Sequence, residues 1–209
     1  LGLSADAKGS LSAKFIKHGA DDFLRKPFCP EELNCRVMSS LERRDMLRAL
    51  KQAAQFDALT NLYNRRAFSE KGQQQFRQAL RAERNLSVAM IDLDFFKRIN
   101  DEHGHASGDA ALIAFARALR SHFPDALIGR LGGEEFALVS LQDGASLAQA
   151  LDQLREHCAS LKYAIGAPPL SFSAGIHHDA PDELENFLHQ ADVRLYQAKR
   201  QGRGRSHWQ

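Results

Sequence analysis

Leu131-Gly132-Gly133-Glu134-Glu135-Phe136 places two glycines directly before two carboxylates. Apolar runs stand on either side, Ala126-Leu127-Ile128 before it and Phe136-Ala137-Leu138-Val139 after it. The pattern predicts strand, tight turn, strand, with the acids carried by the turn. Glycine at both central positions permits positive φ and lets an anion approach the backbone closely, while adjacent Glu side chains offer oxygen ligands to a hard cation. Two readings stand at this point: half of a site for a metal-bound phosphate, or an ordinary Gly-Gly hairpin with solvated acids. The rest of the chain decides between them.

At 209 residues the chain is long enough for one sizeable core, or for one domain plus part of another. Its 44% hydrophobic and 26% charged residues are those of an ordinary globular protein. A formal charge of +2 is too small to make nucleic acid or an anionic membrane the main partner. No apolar run approaches the roughly 18 residues of a membrane span, and no basic region followed by an apolar leader opens the chain, so a cytoplasmic location without membrane insertion is expected. Cys29, Cys35 and Cys158 show no Cys-x-x-Cys spacing and read as reduced thiols. His103/His105 and His177/His178 lack nearby Cys partners, and no zinc site is expected there. A start at Leu1 without methionine suits a piece of something longer.

Residues 1–5 predict a short strand, 6–18 a helix closed by Gly19, and 20–28 a second strand ending at Lys26-Pro27. Pro30 with Glu31-Glu32 marks a helix start, and Leu33, Val37 and Leu41 form its apolar stripe. Residues 1–41 resemble the second half of a response-regulator receiver domain: an apolar strand ending in Ser4-Ala5, a Gly19-Ala20-Asp21-Asp22 turn and Lys26-Pro27-Phe28. The resemblance implies that Ser4 senses a phosphoryl group and that Lys26 pairs with it. The acidic cluster and the phospho-acceptor belong to that family's first half, so an upstream sensor kinase is expected for the full-length protein. From Glu42 to Phe56 good helix formers continue without Gly or Pro, and the stripe shifts to Leu47, Leu50 and Ala54, which fits a linking helix that pairs with its own copy.

Beyond Asp57 the pattern alternates. A helix carries Phe68, Phe76 and Leu80, and a strand covers Leu86 to Leu93. The strand runs into Asp92-Leu93-Asp94, whose acids share one side by alternation. A helix starts at Phe95, another runs from about Asp109 to His122, and the opening hairpin follows. Ser146 to Leu161 reads as a helix, Leu170 to Ile176 as a strand and Asp182 to Arg200 as a final helix, with a basic, glycine-punctuated tail. The hairpin argues for an α+β fold with a central, mostly antiparallel sheet flanked by helices. If the strands ending in Asp92/Asp94 and preceding Glu134/Glu135 are neighbours, their acids converge and call for a divalent cation. Neither a Walker-type loop nor a dinucleotide fingerprint is present.

Residues 57–209 resemble a GGDEF domain, the diguanylate cyclase family, in its G-G-E-E-F form. The matches come in order: Asp57-x-Leu59-Thr60-x-Leu62-x-Asn64-Arg65-Arg66; Asp92-Leu93-Asp94-x-Phe96-Lys97-x-x-Asn100-Asp101; Gly104-His105-x-x-Gly108-Asp109; and Arg130-x-Gly132-Gly133-Glu134-Glu135-Phe136. Ser173-x-Gly175 and Ala191-Asp192-x-x-Leu195-Tyr196-x-Ala198-Lys199-x-x-Gly202-Arg203 complete the set. The resemblance implies a nucleotidyl-cyclase-like fold that condenses two GTP into cyclic di-GMP and two pyrophosphates, with Mg²⁺, or Mn²⁺ in its place, across a homodimer. Asp92, the Leu93 carbonyl and Glu134 would hold the metal. Glu135 would complete that site or help activate the 3′-hydroxyl. Asn100 and Asp109 would read guanine, while Phe95, Phe96, Lys97, Lys199 and Arg203 would hold phosphates. The alternative is a catalytically silent module that binds GTP or cyclic di-GMP. Where many members carry an inhibitory Arg-x-x-Asp, this chain has Phe123-Pro124-Asp125-Ala126, so no product-inhibition site is expected.

Overall fold

The computed structural model describes residues 2–4, 17–20 and 22–208, and the chain divides into two compact units, Leu1–Ala53 and Ala54–Gln209.

In the first unit β1 (Gly2–Ser4) pairs in parallel with β2 (Phe23–Arg25), which sets Ser4 opposite Arg25. The helix expected over 6–18 lies almost wholly outside the described residues, as does the Ser4 side chain. The Lys26-Pro27 peptide is cis, and Lys26 is exposed. Helix α1 (Pro30–Gln55) then starts on Pro30 with Glu31 and Glu32 in its first turn, and it runs unbroken through the change of stripe. Near its start Arg36 reaches Asp22 at 3.0 Å. The Phe23 amide and that guanidinium together hold the Asp22 carboxyl below its usual range.

The second unit follows the expected alternation. In chain order it contains β3 (Tyr63–Asn64), α2 (Arg65–Arg81), β4 (Leu86–Leu93), α3 (Phe96–His103), α4 (His105–His122), β5 (Leu127–Gly132), β6 (Glu135–Ser140), α5 (Gly144–Ser160), β7 (Phe172–Asp179), α6 (Leu184–Arg200) and β8 (Ser206–His207). One six-stranded sheet has the order β3-β5-β6-β4-β7-β8. Its four inner strands are antiparallel, and the two short edge strands pair in parallel. The fold is therefore α+β with a mixed sheet, and the antiparallel pairing falls where the strands are long.

Strand β4 is buried along its whole length because both faces of the sheet are covered. Its residues alternate between two cores. Ala89, Ile91 and Leu93 join Ile99, Phe115, Leu119, Leu147 and Leu151 on the side of α3, α4 and α5. Leu86, Val88 and Met90 join Phe68, Phe76, Phe187 and Leu195 on the side of α2 and α6. That period of two directs Asp92 toward the α2/α6 side, at the end of the sheet where α6 finishes.

Three differences from the sequence expectation bear on the site. Helix α4 begins at His105, because Gly104 at φ 80° ends α3 and starts α4 in a single residue. The acids are divided, with Glu134 in the turn and Glu135 the first residue of β6. The basic tail is built into the fold as β8, where Ala174 and Gly175 pair with Ser206 and His207.

Candidate active site

The hairpin between β5 and β6 turns on Gly132 at φ 146° and Gly133 at φ 50°, a backbone path that side chains with a β-carbon rarely follow. Two tethers fix this turn. The Leu93 amide donates to the Glu134 carbonyl at 3.3 Å, which ties the turn to the end of β4. Arg130 donates to the Gly133 carbonyl through Nε at 3.0 Å and Nη2 at 2.8 Å. The same guanidinium grips Asp57 Oδ1 at 3.0 Å. Burial works to raise the Asp57 carboxyl, but the Thr60 hydroxyl and amide and then Arg130 outweigh it, and the group lies below its usual range. Arg65 adds a bond to the Leu131 carbonyl at 2.8 Å and stands 3.9 Å from Glu135.

Strand register brings the acids together. Asp92 is paired with Glu135 on one side and with Ser173 on the other. The Lys199 ammonium, in the last turn of α6, meets Asp92 Oδ2 at 2.8 Å. Burial raises the Asp92 carboxyl, Lys199 pulls it the other way, and the charges of Glu134 and Glu135 raise it further. The balance is upward, with burial the leading cause.

Asp94 departs from the expectation that it shares a cluster with Asp92. Its carboxylate accepts from the Ser171 and Ser173 hydroxyls and from the Gly204 amide. Phe95 follows in the left-handed region at φ 57°, and the Arg203 guanidinium lies 5.0 Å from the centre of its ring. Phe96 opens α3. Lys97 is exposed in the first turn of α3 and, among the described residues, forms no ion pair.

Asn100 and Asp109 sit on the paired helices α3 and α4. A β-carbon at Gly108 would lie 1.9 Å from Asn100 Oδ1, so glycine there leaves the Asn100 amide its place. Asp109 is the next residue and is exposed. The structure thus brings Asp92, Leu93, Glu134, Glu135 and Lys199 into one corner, sets Arg203 on Phe95, and sets Asn100 beside Gly108.

The donor set suits a hard divalent ion: two or three carboxylates and a carbonyl, all oxygen. Among the described residues no three His, Cys, Asp or Glu side chains already form a closed metal cage. A hard ion such as Mg²⁺ takes one or two carboxylates and completes its shell from water and substrate phosphates. The Lys199 ammonium stands at Asp92 and the Arg65 guanidinium 3.9 Å from Glu135, so both ends of this corner already face positive charge.

The family model for the diguanylate cyclase GGDEF domain matches residues 54–205. The chain belongs to the GGDEF diguanylate cyclase family. It is 36% identical over 177 residues to diguanylate cyclase DgcM of Escherichia coli, covering 82% of this chain and 42% of that protein. To the response regulator PleD of Caulobacter vibrioides it is 33% identical over 218 residues, covering 96% of this chain and 47% of that one. The chain thus spans less than half the length of these curated relatives. The crystal structure of the coiled coil and GGDEF domain of DgcB from Caulobacter crescentus, in complex with c-di-GMP, superposes with a TM-score of 0.77 at 28% identity, covering 86% of this chain and 98% of that one.

Asp57, Arg130 and Asp94 are the residues of this GGDEF domain whose roles the sequence did not disclose. All three stand inside the quoted motifs, but Asp57 and Arg130 are 73 positions apart and Asp94 and Gly204 are 110 apart. No local spacing announces either contact.

Proposed function

We propose that this protein is a diguanylate cyclase that condenses two GTP into cyclic di-GMP with release of two pyrophosphates. The observation that carries the reading is the corner where Asp92, Glu134 and Glu135 meet under a single ammonium, with the glycine turn tied to β4. Asp92, Glu134 and the Leu93 carbonyl would hold Mg²⁺, or Mn²⁺ in its place. Bound there, the metal would supply charge neutralisation and polarisation of the α-phosphate. Lys199 and Arg203, with the Phe95 and Phe96 amides and Lys97, take the phosphate charge. Asn100 and Asp109 read the guanine edge, a carboxylate being matched to its ring N–H and exocyclic amine. Glu135 helps draw the proton from the attacking 3′-hydroxyl.

Each domain holds one GTP. The 3′-hydroxyl of one nucleotide attacks the α-phosphate of the other, pyrophosphate leaves, and the reciprocal step closes the ring. The active unit is therefore a homodimer, and the exposed Met46, Leu47 and Leu50 of α1 are the stripe that pairs with its copy. Residues 1–41 form the second half of a receiver domain, 42–56 the linking helix and 57–209 the catalytic domain. The parallel pairing of β1 with β2 and the likeness to a chain named as a response regulator support that arrangement. An upstream sensor kinase would then act on the full-length protein, in the cytoplasm where its GTP is drawn. No helix among the described residues is long and apolar enough to cross a membrane. Phe123 is buried in the core where the inhibitory motif would need its arginine, and little product inhibition is expected through that route.

The test is incubation with GTP, with ATP and with both, in Mg²⁺, and identification of the products. Cyclic di-GMP from GTP alone, lost in Glu134→Gln, is the expected result. Tight GTP binding without turnover would make the domain a silent binding module instead.

A further inference from the structure

Asp94 stands one residue beyond β4 and is 5% exposed. Its carboxylate accepts from Ser173 Oγ at 2.7 Å, from Ser171 Oγ at 2.8 Å and from the Gly204 amide at 3.0 Å. Its own amide donates to the Ser171 carbonyl at 2.9 Å. All three donors are neutral, and among the described residues no cation pairs with it. A carboxylate is thus kept out of water by hydrogen bonds alone, an arrangement whose desolvation cost those bonds offset.

The bond from Gly204 holds a strained piece of backbone. Gly202, Arg203 and Gly204 have φ of 110°, 63° and 58°, and for Arg203 the left-handed region is unfavourable because of its β-carbon. The Arg203 amide closes onto the Ala198 carbonyl at 3.1 Å, the Gly204 amide closes onto Asp94, and the Arg205 carbonyl accepts from Ala174 at 2.9 Å. Arg203, Gly204 and Arg205 are therefore held in succession by Ala198, Asp94 and Ala174, and Asp94 supplies the central bond of the three. Lys199 lies on the near side of this turn, and Arg203 lies within it, over the Phe95 ring.

We propose that Asp94 is a positioning residue for the phosphate clamp. It touches no nucleotide; it fixes the Gly202–Gly204 turn so that Arg203 projects over Phe95. The proposal rests on the cyclase reading above for what the clamp holds, but the pinning itself is testable without nucleotide.

In the nucleotide-free full chain, hydrogen exchange at Gly204 should quicken about tenfold or more in Asp94→Ala. It should stay near wild type in Asp94→Asn, whose amide oxygen still accepts from Gly204 while the Ser173 hydroxyl turns to accept from the amide nitrogen. Binding of a GTP analogue bridged by methylene between its α and β phosphorus atoms is then compared across variants. Asp94→Ala should weaken binding about tenfold and Asp94→Asn less than about threefold, and Asp94→Ala should add less than about twofold to Arg203→Ala. Slow Gly204 exchange in folded Asp94→Ala, or effects of Asp94→Ala and Arg203→Ala that multiply, would overturn the proposal. If Asp94→Ala does not fold, Ser171→Ala replaces it, with about threefold weaker binding that again vanishes in the Arg203→Ala background. A wild-type chain that binds no guanine nucleotide would remove the cyclase reading, and the exchange result would still decide whether Asp94 pins the turn.

Discussion

Helices α1 and α6 have similar apolar spacing and meet different surroundings. On α6, Leu184, Phe187, Ala191, Leu195 and Ala198 are all buried against the sheet. The approach is close because β7 contributes Gly175, where a β-carbon would lie 2.1 Å from both the Ala191 carbonyl oxygen and the Leu195 nitrogen. On α1, Met46, Leu47 and Leu50 are 69%, 54% and 60% exposed. An apolar stripe thus states that a face is to be covered, and leaves open by what. For α6 the cover is a strand of the same domain; for α1 we assign it to a second copy.

Substitutions should separate the two helices sharply. Phe187→Ala, which empties the edge-to-face contact with Phe76, should destabilise the fold by about 3–5 kcal/mol in urea unfolding. Gly175→Ala should cost about 1–3 kcal/mol by the same measurement, since the atoms it meets are backbone and cannot rotate away. At the other extreme, Met46→Ala and Leu50→Ala should each change unfolding of the monomer by less than about 0.5 kcal/mol. They should nonetheless lower cyclase activity at dilute protein and spare it at high concentration. A large unfolding penalty from either would mean that α1 is covered within its own chain.

Between these lies Arg130→Met, which removes the tie between Asp57 and the glycine turn. A loss of about 1–2 kcal/mol is expected, with a larger fall in turnover than in GTP binding. The folded Asp57 carboxyl is held below its unfolded value by the Thr60 hydroxyl and amide and then by Arg130, so the Arg130 share of that stabilisation is present above the unfolded range near pH 4. That contribution is lost as the pH falls through the lower folded value. The stability gap between wild type and Arg130→Met should therefore narrow in acid, as measured by thermal unfolding across the pH range.

Strand β4 was legible to the residue, because Leu86, Val88, Ala89, Met90 and Ile91 supply its apolar content and Asp92 and Asp94 mark its end. The hairpin was equally plain from its glycines. Strands β3 and β8 escaped because two residues are too few to show a period. The start of α4 escaped because Gly104 and Gly108 read as loop punctuation, whereas Gly108 is inside the helix to make room for Asn100. Among the site residues, types and order were visible in the motifs, and the contacts of Asp57 with Arg130 and of Asp94 with Gly204 were not.

The Gly-Gly-Glu-Glu turn and the Asp-Leu-Asp strand end show where that division comes from. The sequence by itself determined that glycines would bend the hairpin, that acids would sit at the ends of buried strands, and that a basic segment would follow the last helix. Asp92 and Asp94 occupy alternate positions and are indistinguishable at that level. Only the tertiary structure decided that Asp92 faces the Lys199 ammonium and that Asp94 faces two hydroxyls and an amide. Local periodicity fixes which way a side chain points, but the charge it meets is set by strands and helices that arrive from far along the chain.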